Sequence, residues 1–190
     1  MPLIARRALL AALALPPLGA VRAAPVRGEN GWTQDWFHES FLNLREDLEE
    51  AQGAGQRLAL VFDQRGCPYC EEMHTDHLAR PEIEAFIRPR FRMVQLDLHG
   101  SRPVTDFDGE VLEERALARK WRVTFTPSIL FAPEWQGEGP PRRAGREIEV
   151  ARMHGLLPKP EFLGFFRFVA ERGYADGSGF RRWWQRRGQG

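Results

Sequence analysis

The residues with the clearest chemical potential lie in the segment QRGCPYCEEMH, residues 64–74, which contains both cysteines of the chain. Cys67 and Cys70 are separated only by Pro68 and Tyr69. This spacing suits a redox-active disulfide, half of a metal site, or a structural disulfide. A structural disulfide stabilises a protein most when it closes a long loop, and this loop is short. The spacing therefore favours redox chemistry or metal binding.

The residues around the cysteines predict that the pair lies where a buried strand meets a helix. The run LALVFD, residues 58–63, is apolar up to Asp63, as is typical of a buried strand. Pro68 suits the first turn of a helix, where its missing N–H group costs nothing, so we predict a helix from Cys67. The positive end of that helix would stabilise a Cys67 thiolate. Cys70, almost one turn further on, would be more buried and could resolve a mixed disulfide.

A second proline is the candidate for positioning a substrate beside the cysteines. Thr126 and Pro127 precede the run SILF, so a strand is predicted over 127–131. A cis peptide bond before Pro127 would point backbone groups toward the sulfur atoms, and cis bonds occur almost only before proline. The alternative is an ordinary trans proline at the start of a strand. Tyr69 is predicted to be exposed, and either contacts partners or packs on a neighbouring loop.

Two histidines add metal-ligand residue types close to the cysteine pair. Cys70, His74 and His77 would share one face of a single helix. Zinc sites usually take their ligands from two separate chain segments, so we predict no metal site and expect both histidines to be partly exposed. Asp63 could act as a base, although a solvated or capping role is favoured. A protein that holds zinc is kept as an alternative.

The first 23 residues have the pattern of a cleavable signal peptide. Arg6 and Arg7 precede an apolar run over 8–15, and small residues follow up to the predicted cleavage site, Val21-Arg22-Ala23. The apolar run is shorter than the roughly 20 residues of a membrane-spanning helix. Without this segment the formal net charge changes from +1 to about −2, which gives no support for a nucleic-acid partner. Export predicts an oxidising compartment, in which a disulfide can form.

The apolar periodicity of the remaining chain predicts an α/β protein. Helices are predicted over 37–51, 81–91, 111–121 and 159–173, and further strands over 91–98 and 147–155. This order gives a mixed central sheet with helices on both faces, an extra N-terminal helix and a C-terminal tail. We predict a flexible segment over 24–35, one domain over 36–173, and a basic, aromatic tail over 174–190. The tail either binds an anionic partner or membrane, or packs on the domain, which is favoured.

These motifs together resemble a known family. GCPYC, the preceding LALVFD and the later FTPSILF resemble the thioredoxin superfamily, and the resemblance covers roughly residues 37–173. With VQLDLHG, VTDFDGE and LARKWRVTFTPSILF after a signal peptide, the chain is more narrowly similar to SoxW-like periplasmic thioredoxins of bacterial sulfur-oxidation systems. The resemblance implies a thioredoxin fold and a Cys67–Cys70 disulfide as the only redox group, without a cofactor.

Three positions depart from the usual thioredoxin pattern. Gly66 stands where thioredoxins usually have tryptophan, and Pro68-Tyr69 stands in place of Gly-Pro. Val61 occupies the position of a buried aspartate that assists proton transfer in thioredoxins. The reduction potential therefore cannot be transferred from thioredoxin, because dithiol proteins range from about −270 to −120 mV.

The resemblance implies a periplasmic enzyme that reduces disulfides in partner proteins or sulfur carriers. Cys67 and Cys70 would be catalytic, while Pro68, Tyr69, Thr126 and Pro127 would contact the substrate. Electrons would come from a membrane thiol transporter of the DsbD/CcdA kind, and we expect a monomer that binds no nucleic acid. The alternatives are a disulfide-forming oxidant and a non-enzymatic thioredoxin-fold module that binds a partner or holds zinc.

Overall fold

A computed structural model of the protein describes residues 24–28, 31–135, 143 and 145–188. The strands are β1 (Pro25–Gly28), β2 (Gly31–Gln34), β3 (Arg57–Asp63), β4 (Phe91–Asp97), β5 (Pro103–Thr105), β6 (Val111–Glu113), β7 (Ser128–Phe131) and β8 (Ala151–His154). The helices are α1 (Leu44–Gly53), α2 (Pro68–Glu72), α3 (Pro81–Ile87), α4 (Glu114–Lys120), α5 (Lys159–Ala170) and α6 (Phe180–Arg187). A π-helical turn, Met73–His77, continues α2, and a 3-10 turn, Gly145–Glu147, precedes β8.

The central sheet has four strands in the order β4-β3-β7-β8. β3 pairs in parallel with β4 and antiparallel with β7, and β7 pairs antiparallel with β8. The sheet is therefore mixed, as predicted. Because β3 has neighbours on both edges and helices on both faces, its apolar run is continuous rather than alternating.

Two hydrophobic clusters cover the two faces of this sheet. Successive side chains of a strand point to opposite faces, and β3 divides accordingly. Leu58, Leu60 and Phe62 join the cluster formed with α1 and α4. Ala59 and Val61 join the cluster formed with α3, α5 and α6. The prediction of an α/β protein with helices on both faces is confirmed.

The first helix is shorter than the apolar periodicity predicts. Asn43 is its N-cap, with its side chain accepting a hydrogen bond from the Arg45 backbone N–H, and Leu42 has a positive φ of 60°. The helix therefore begins only after Asn43, and Phe37 and Phe41 lie outside it. Phe41 is 99% exposed, whereas Phe37 is buried in the cluster on the opposite face of the sheet from α1.

A two-stranded ribbon lies within residues 24–35, the segment predicted as a flexible N-terminus. β1 and β2 pair antiparallel, and Gln95 Nε2 donates a hydrogen bond to the Trp32 carbonyl at 2.8 Å. Buried Gln34 donates from Nε2 to the His74 backbone oxygen, also at 2.8 Å. These hydrogen bonds connect the ribbon to the domain. The sequence does not reveal this because each strand has only four residues and its partners lie far along the chain.

Two further segments differ from the predicted elements. Val111–Glu113, predicted as the start of a helix, forms β6 and pairs with β5, so α4 begins only at Glu114. Within the predicted strand 147–155, only Ala151–His154 pairs with β7.

The C-terminal tail packs on the domain through α6. Trp183 is buried against Phe168, and Trp184 lies over Gly164 of α5. Residues 189 and 190, and the predicted signal peptide over 1–23, lie outside the described residues. No helix in the described part of the chain is long and apolar enough to cross a membrane.

Candidate active site

Cys67 and Cys70 form a disulfide at the start of α2, with their Cα atoms 5.2 Å apart. Cys67 is the N-cap residue, and Pro68 occupies the first turn of the helix. The backbone N–H of Cys70 donates to Cys67 Sγ at 3.1 Å. The exposed fraction of the residue is 9% for Cys67 and 4% for Cys70, so Cys67 is the more exposed of the two. The strand, the disulfide and the helix thus follow one another as the local sequence predicts.

Thr126 and Pro127 lie beside the disulfide. Their peptide bond is cis, and the carbonyl oxygen of Thr126 lies 3.8 Å from Cys67 Sγ. Tyr69 is 64% exposed and Phe125 is 46% exposed. The structure therefore brings the predicted site residues together and places exposed aromatic side chains next to them. The role of these residues in substrate binding remains a prediction.

A cavity of about 310 Å³ lies on another side of the disulfide. Asp63, Cys67 and Cys70 line it from the domain, and Arg27 and Trp32 line it from the β1-β2 ribbon. The ribbon therefore borders the site, which the sequence did not predict, because no local pattern connects residues 25–34 to the cysteines.

A buried carboxylate–imidazole pair lies behind the disulfide. Asp63 and His74 are 4% and 0% exposed, and Asp63 Oδ2 lies 2.8 Å from His74 Nε2. Gln95 Nε2 donates to the same carboxylate oxygen at 2.8 Å. Gln34 Nε2 faces His74 Nδ1 at 3.3 Å, so Nδ1 is the acceptor and Nε2 carries the proton. In this tautomer the imidazole donates from Nε2 to the Asp63 carboxylate.

This pair corrects the predictions of a solvated Asp63 and of partly exposed histidines. His77 is also buried, at 2% exposed, and its Nε2 lies 3.0 Å from the Leu157 carbonyl. The partners of both rings come from distant segments, so local sequence could not show their burial. The four residues considered as zinc ligands are not assembled, because the cysteines form a disulfide and His74 binds Asp63.

Comparison with known proteins places this site in a family. Residues 44–170 match the family described as a thioredoxin-like domain, and this range includes the disulfide and Thr126-Pro127. The chain belongs to the thioredoxin-like domain family. Among curated proteins, no sequence matches this chain.

Solved structures similar to this thioredoxin-like domain include a thioredoxin and a thioredoxin-fold protein. A thioredoxin from Thermus thermophilus, determined in solution, is 28% identical, with 72% of this chain and 91% of that chain covered at a TM-score of 0.54. A thioredoxin-fold protein from Helicobacter pylori is 21% identical, with coverages of 64% and 73% and a TM-score of 0.51. The second likeness shows the fold alone. The thioredoxin fold predicted from the sequence is confirmed.

The site of this thioredoxin-like domain is of the thiol–disulfide oxidoreductase kind, since it combines the family's fold with a cysteine pair at disulfide distance. Three elements, β1, β2 and α6, lie outside the matched range. The ribbon over 25–34 borders the disulfide cavity, and α6 covers part of α5. The narrower similarity to SoxW-like proteins stays a prediction.

Proposed function

We propose that the protein is a periplasmic thiol:disulfide oxidoreductase that reduces disulfides in partner proteins. The observation that supports this most directly is the position of Cys67, which is the N-cap of α2 and lies 3.8 Å from the Thr126 carbonyl oxygen. The signal-peptide pattern over residues 1–23 supports the periplasmic location. The reducing direction is supported by the similarity to SoxW-like thioredoxins.

In the first step, the Cys67 thiolate of the reduced protein attacks one sulfur of a partner disulfide. A bond forms between Cys67 Sγ and that sulfur, and the other partner sulfur leaves as a thiolate. The thiolate is stabilised by the helix N-terminus, including the Cys70 N–H group 3.1 Å from Cys67 Sγ. The partner backbone lies along Thr126 and Pro127, beside Pro68 and the exposed Tyr69.

In the second step, the Cys70 thiolate attacks Cys67 Sγ. The second partner sulfur leaves as a thiolate, and the Cys67–Cys70 disulfide forms. The partner has then gained the two electrons that the protein's thiols have lost, and its thiolates take up the two protons.

Asp63 is the proposed acceptor of the Cys70 proton. Asp63 lines the same cavity as both cysteines. Its Oδ2 accepts hydrogen bonds from His74 and Gln95, whereas its buried Oδ1 has no hydrogen-bond partner among the described residues. A free carboxylate oxygen in a buried site is available to take a proton. His74 would hold the carboxylate in position through Oδ2.

Each cycle leaves the protein oxidised, so a reductant must restore the two thiols. We infer from the family resemblance a membrane thiol transporter of the DsbD/CcdA kind as the electron donor. The same resemblance suggests sulfur carriers or cytochromes as substrates of a monomeric enzyme.

The reduction potential of the Cys67–Cys70 couple tests the proposal. The mature protein, free of metal, is equilibrated with glutathione or dithiothreitol buffers, and the reduced fraction is measured by thiol alkylation. A potential near or below about −220 mV is expected for a reductase supplied by a dedicated donor. A value near −120 mV would instead indicate a disulfide-forming oxidant. The absence of a reversible couple would favour a non-enzymatic binding module.

A further inference from the structure

A second group of chemically active side chains lies on the turn that follows α2. Glu72, Asp76 and His77 each place one potential ligand atom within 4.8 Å of the others. Within the described ranges, no other group of three or more His, Cys, Asp or Glu side chains is this compact. The group is distinct from the disulfide and from the Asp63–His74 pair.

The π-helical turn brings the three residues together. The Leu78 N–H donates to the Met73 carbonyl at 2.8 Å, five residues earlier, as is typical of a π-helix. In a regular α-helix, residues five positions apart point in different directions, because neighbours on one face are three or four apart. The wider turn moves His77 toward the face that Glu72 and Asp76 share. Such turns are frequent at functional sites.

His77 provides an observation that points to a ligand independently of the acidic residues. Its ring is buried, packs on Phe162 with centroids 5.2 Å apart, and places Nε2 3.0 Å from the Leu157 carbonyl oxygen. A carbonyl oxygen only accepts hydrogen bonds, so Nε2 carries the proton and Nδ1 has a free lone pair. Nδ1 is buried and has no hydrogen-bond partner in the described part of the chain. A histidine whose other N–H binds a backbone carbonyl is the usual arrangement at metal sites.

The two carboxylates give the group negative charge. The hydrogen bond from Lys159 lowers the pKa of Asp76, so this carboxyl is ionised at neutral pH. Lys159 contacts Asp76 Oδ2, and Arg80 lies 3.5 Å from Asp76 Oδ1. In the absence of a metal ion, these two cations balance the negative charge of Asp76, and they would compete with a bound metal ion. Glu72 is exposed and can turn toward the other two residues.

We propose that Glu72, Asp76 and His77 bind a divalent transition-metal ion such as Zn²⁺. One imidazole nitrogen and two carboxylate oxygens are ligand types that Zn²⁺ accepts, and three protein ligands leave a further position for water. A cavity lined by Tyr69, Glu72, His77 and Leu157 gives an entry path from solvent. The proposal does not depend on redox activity.

Titration of the oxidised protein with ZnCl₂ by isothermal calorimetry tests the site. The disulfide keeps both cysteines from binding zinc. We expect one Zn²⁺ per chain and a loss of affinity of roughly tenfold or more in Glu72→Gln. Glu71→Gln is the matched control, because Glu71 is the exposed neighbour of Glu72 and lies outside the group. Lys159→Met should bind zinc more tightly, because the competing ammonium group is removed.

The ¹⁵N resonances of the imidazole rings identify the ligand directly. We expect zinc to shift the Nδ1 signal of His77 and to leave its Nε2 proton in place. The proposal is overturned if oxidised protein binds no zinc, if Glu71→Gln and Glu72→Gln lose affinity equally, or if other histidines shift instead. Unchanged affinity in Lys159→Met would contradict the assignment of Asp76. Binding that requires reduced cysteines would also overturn the site.

Discussion

At the scale of single residues, the proposed proton acceptor, Asp63, occupies a different strand position from the one usual in thioredoxins. Val61 stands at the usual position of the buried aspartate, while Asp63 lies two residues closer to the cysteines on the same strand face. Asp63 is buried and hydrogen-bonded to His74 and Gln95. If Asp63 accepts the proton of Cys70, it replaces the buried aspartate that thioredoxins usually have at the position of Val61.

Replacing Asp63 with asparagine tests this role. Asp63→Asn keeps the size of the side chain but cannot accept a proton, so Cys70 would lose its general base. We expect resolution of a mixed disulfide on Cys67 to slow by about 100-fold at neutral pH, and to recover as the pH rises and hydroxide replaces the base. Stopped-flow kinetics with an aromatic disulfide reagent would measure the rate.

Asp97→Asn is the matched control for this experiment. Asp97 is the residue of β4 that pairs with Asp63, but it is only half-buried and its Oδ1 accepts from the His99 N–H. A rate equal to wild type in Asp63→Asn at every pH would remove Asp63 from the mechanism. An equal slowing in both variants would indicate a structural effect.

At the scale of elements, close packing fixes the position of α6. A Cβ atom at Gly164 would lie 2.3 Å from Trp184 Cζ3, a distance too short for any contact without movement. The glycine is required because the indole of Trp184 lies against the backbone of α5. Loss of this contact would free a helix whose exposed face contains several arginines.

Gly164→Ala should therefore destabilise the protein. Overpacking of this kind costs about 1–3 kcal/mol in the free energy of unfolding, which urea denaturation would measure. Adding Trp184→Ala should recover part of the loss, because it restores space. Gly53→Ala in α1 is the control: its Cβ has no neighbour within 4 Å, so it should be neutral or slightly stabilising. Equal effects at both glycines would contradict the packing argument.

The sequence correctly predicts the elements whose position depends on residues within or next to the element itself. The apolar run of β3, Pro68 at the start of α2 and Pro81 at the start of α3 each determine their own element. The β1-β2 ribbon and the burial of His74 were missed because they depend on pairs such as Gln34 with His74, forty residues apart. The predicted α1 began too early because Phe37 and Phe41 have helical spacing, which does not reveal the N-cap at Asn43.

At the scale of the whole molecule, the proposed export would determine the redox environment of the cysteines. We expect the chain to be processed after Ala23, so that the mature protein begins at Ala24. Mass spectrometry of the periplasmic fraction, after expression of the full sequence in a bacterial host, would show this mass. Ala23→Phe should block cleavage, because signal peptidase sites require small residues. Recovery of the full-length chain from the cytoplasm would contradict the predicted location.

The β1-β2 ribbon makes the surroundings of the disulfide asymmetric. Arg27 and Trp32 lie on one side, while Thr126 and the exposed Tyr69 border the other. A partner that binds along Thr126 and Pro127, as proposed, would therefore approach Cys67 from the side of Tyr69. The ribbon thus supplies a wall of the reactive disulfide that the family match over residues 44–170 does not include.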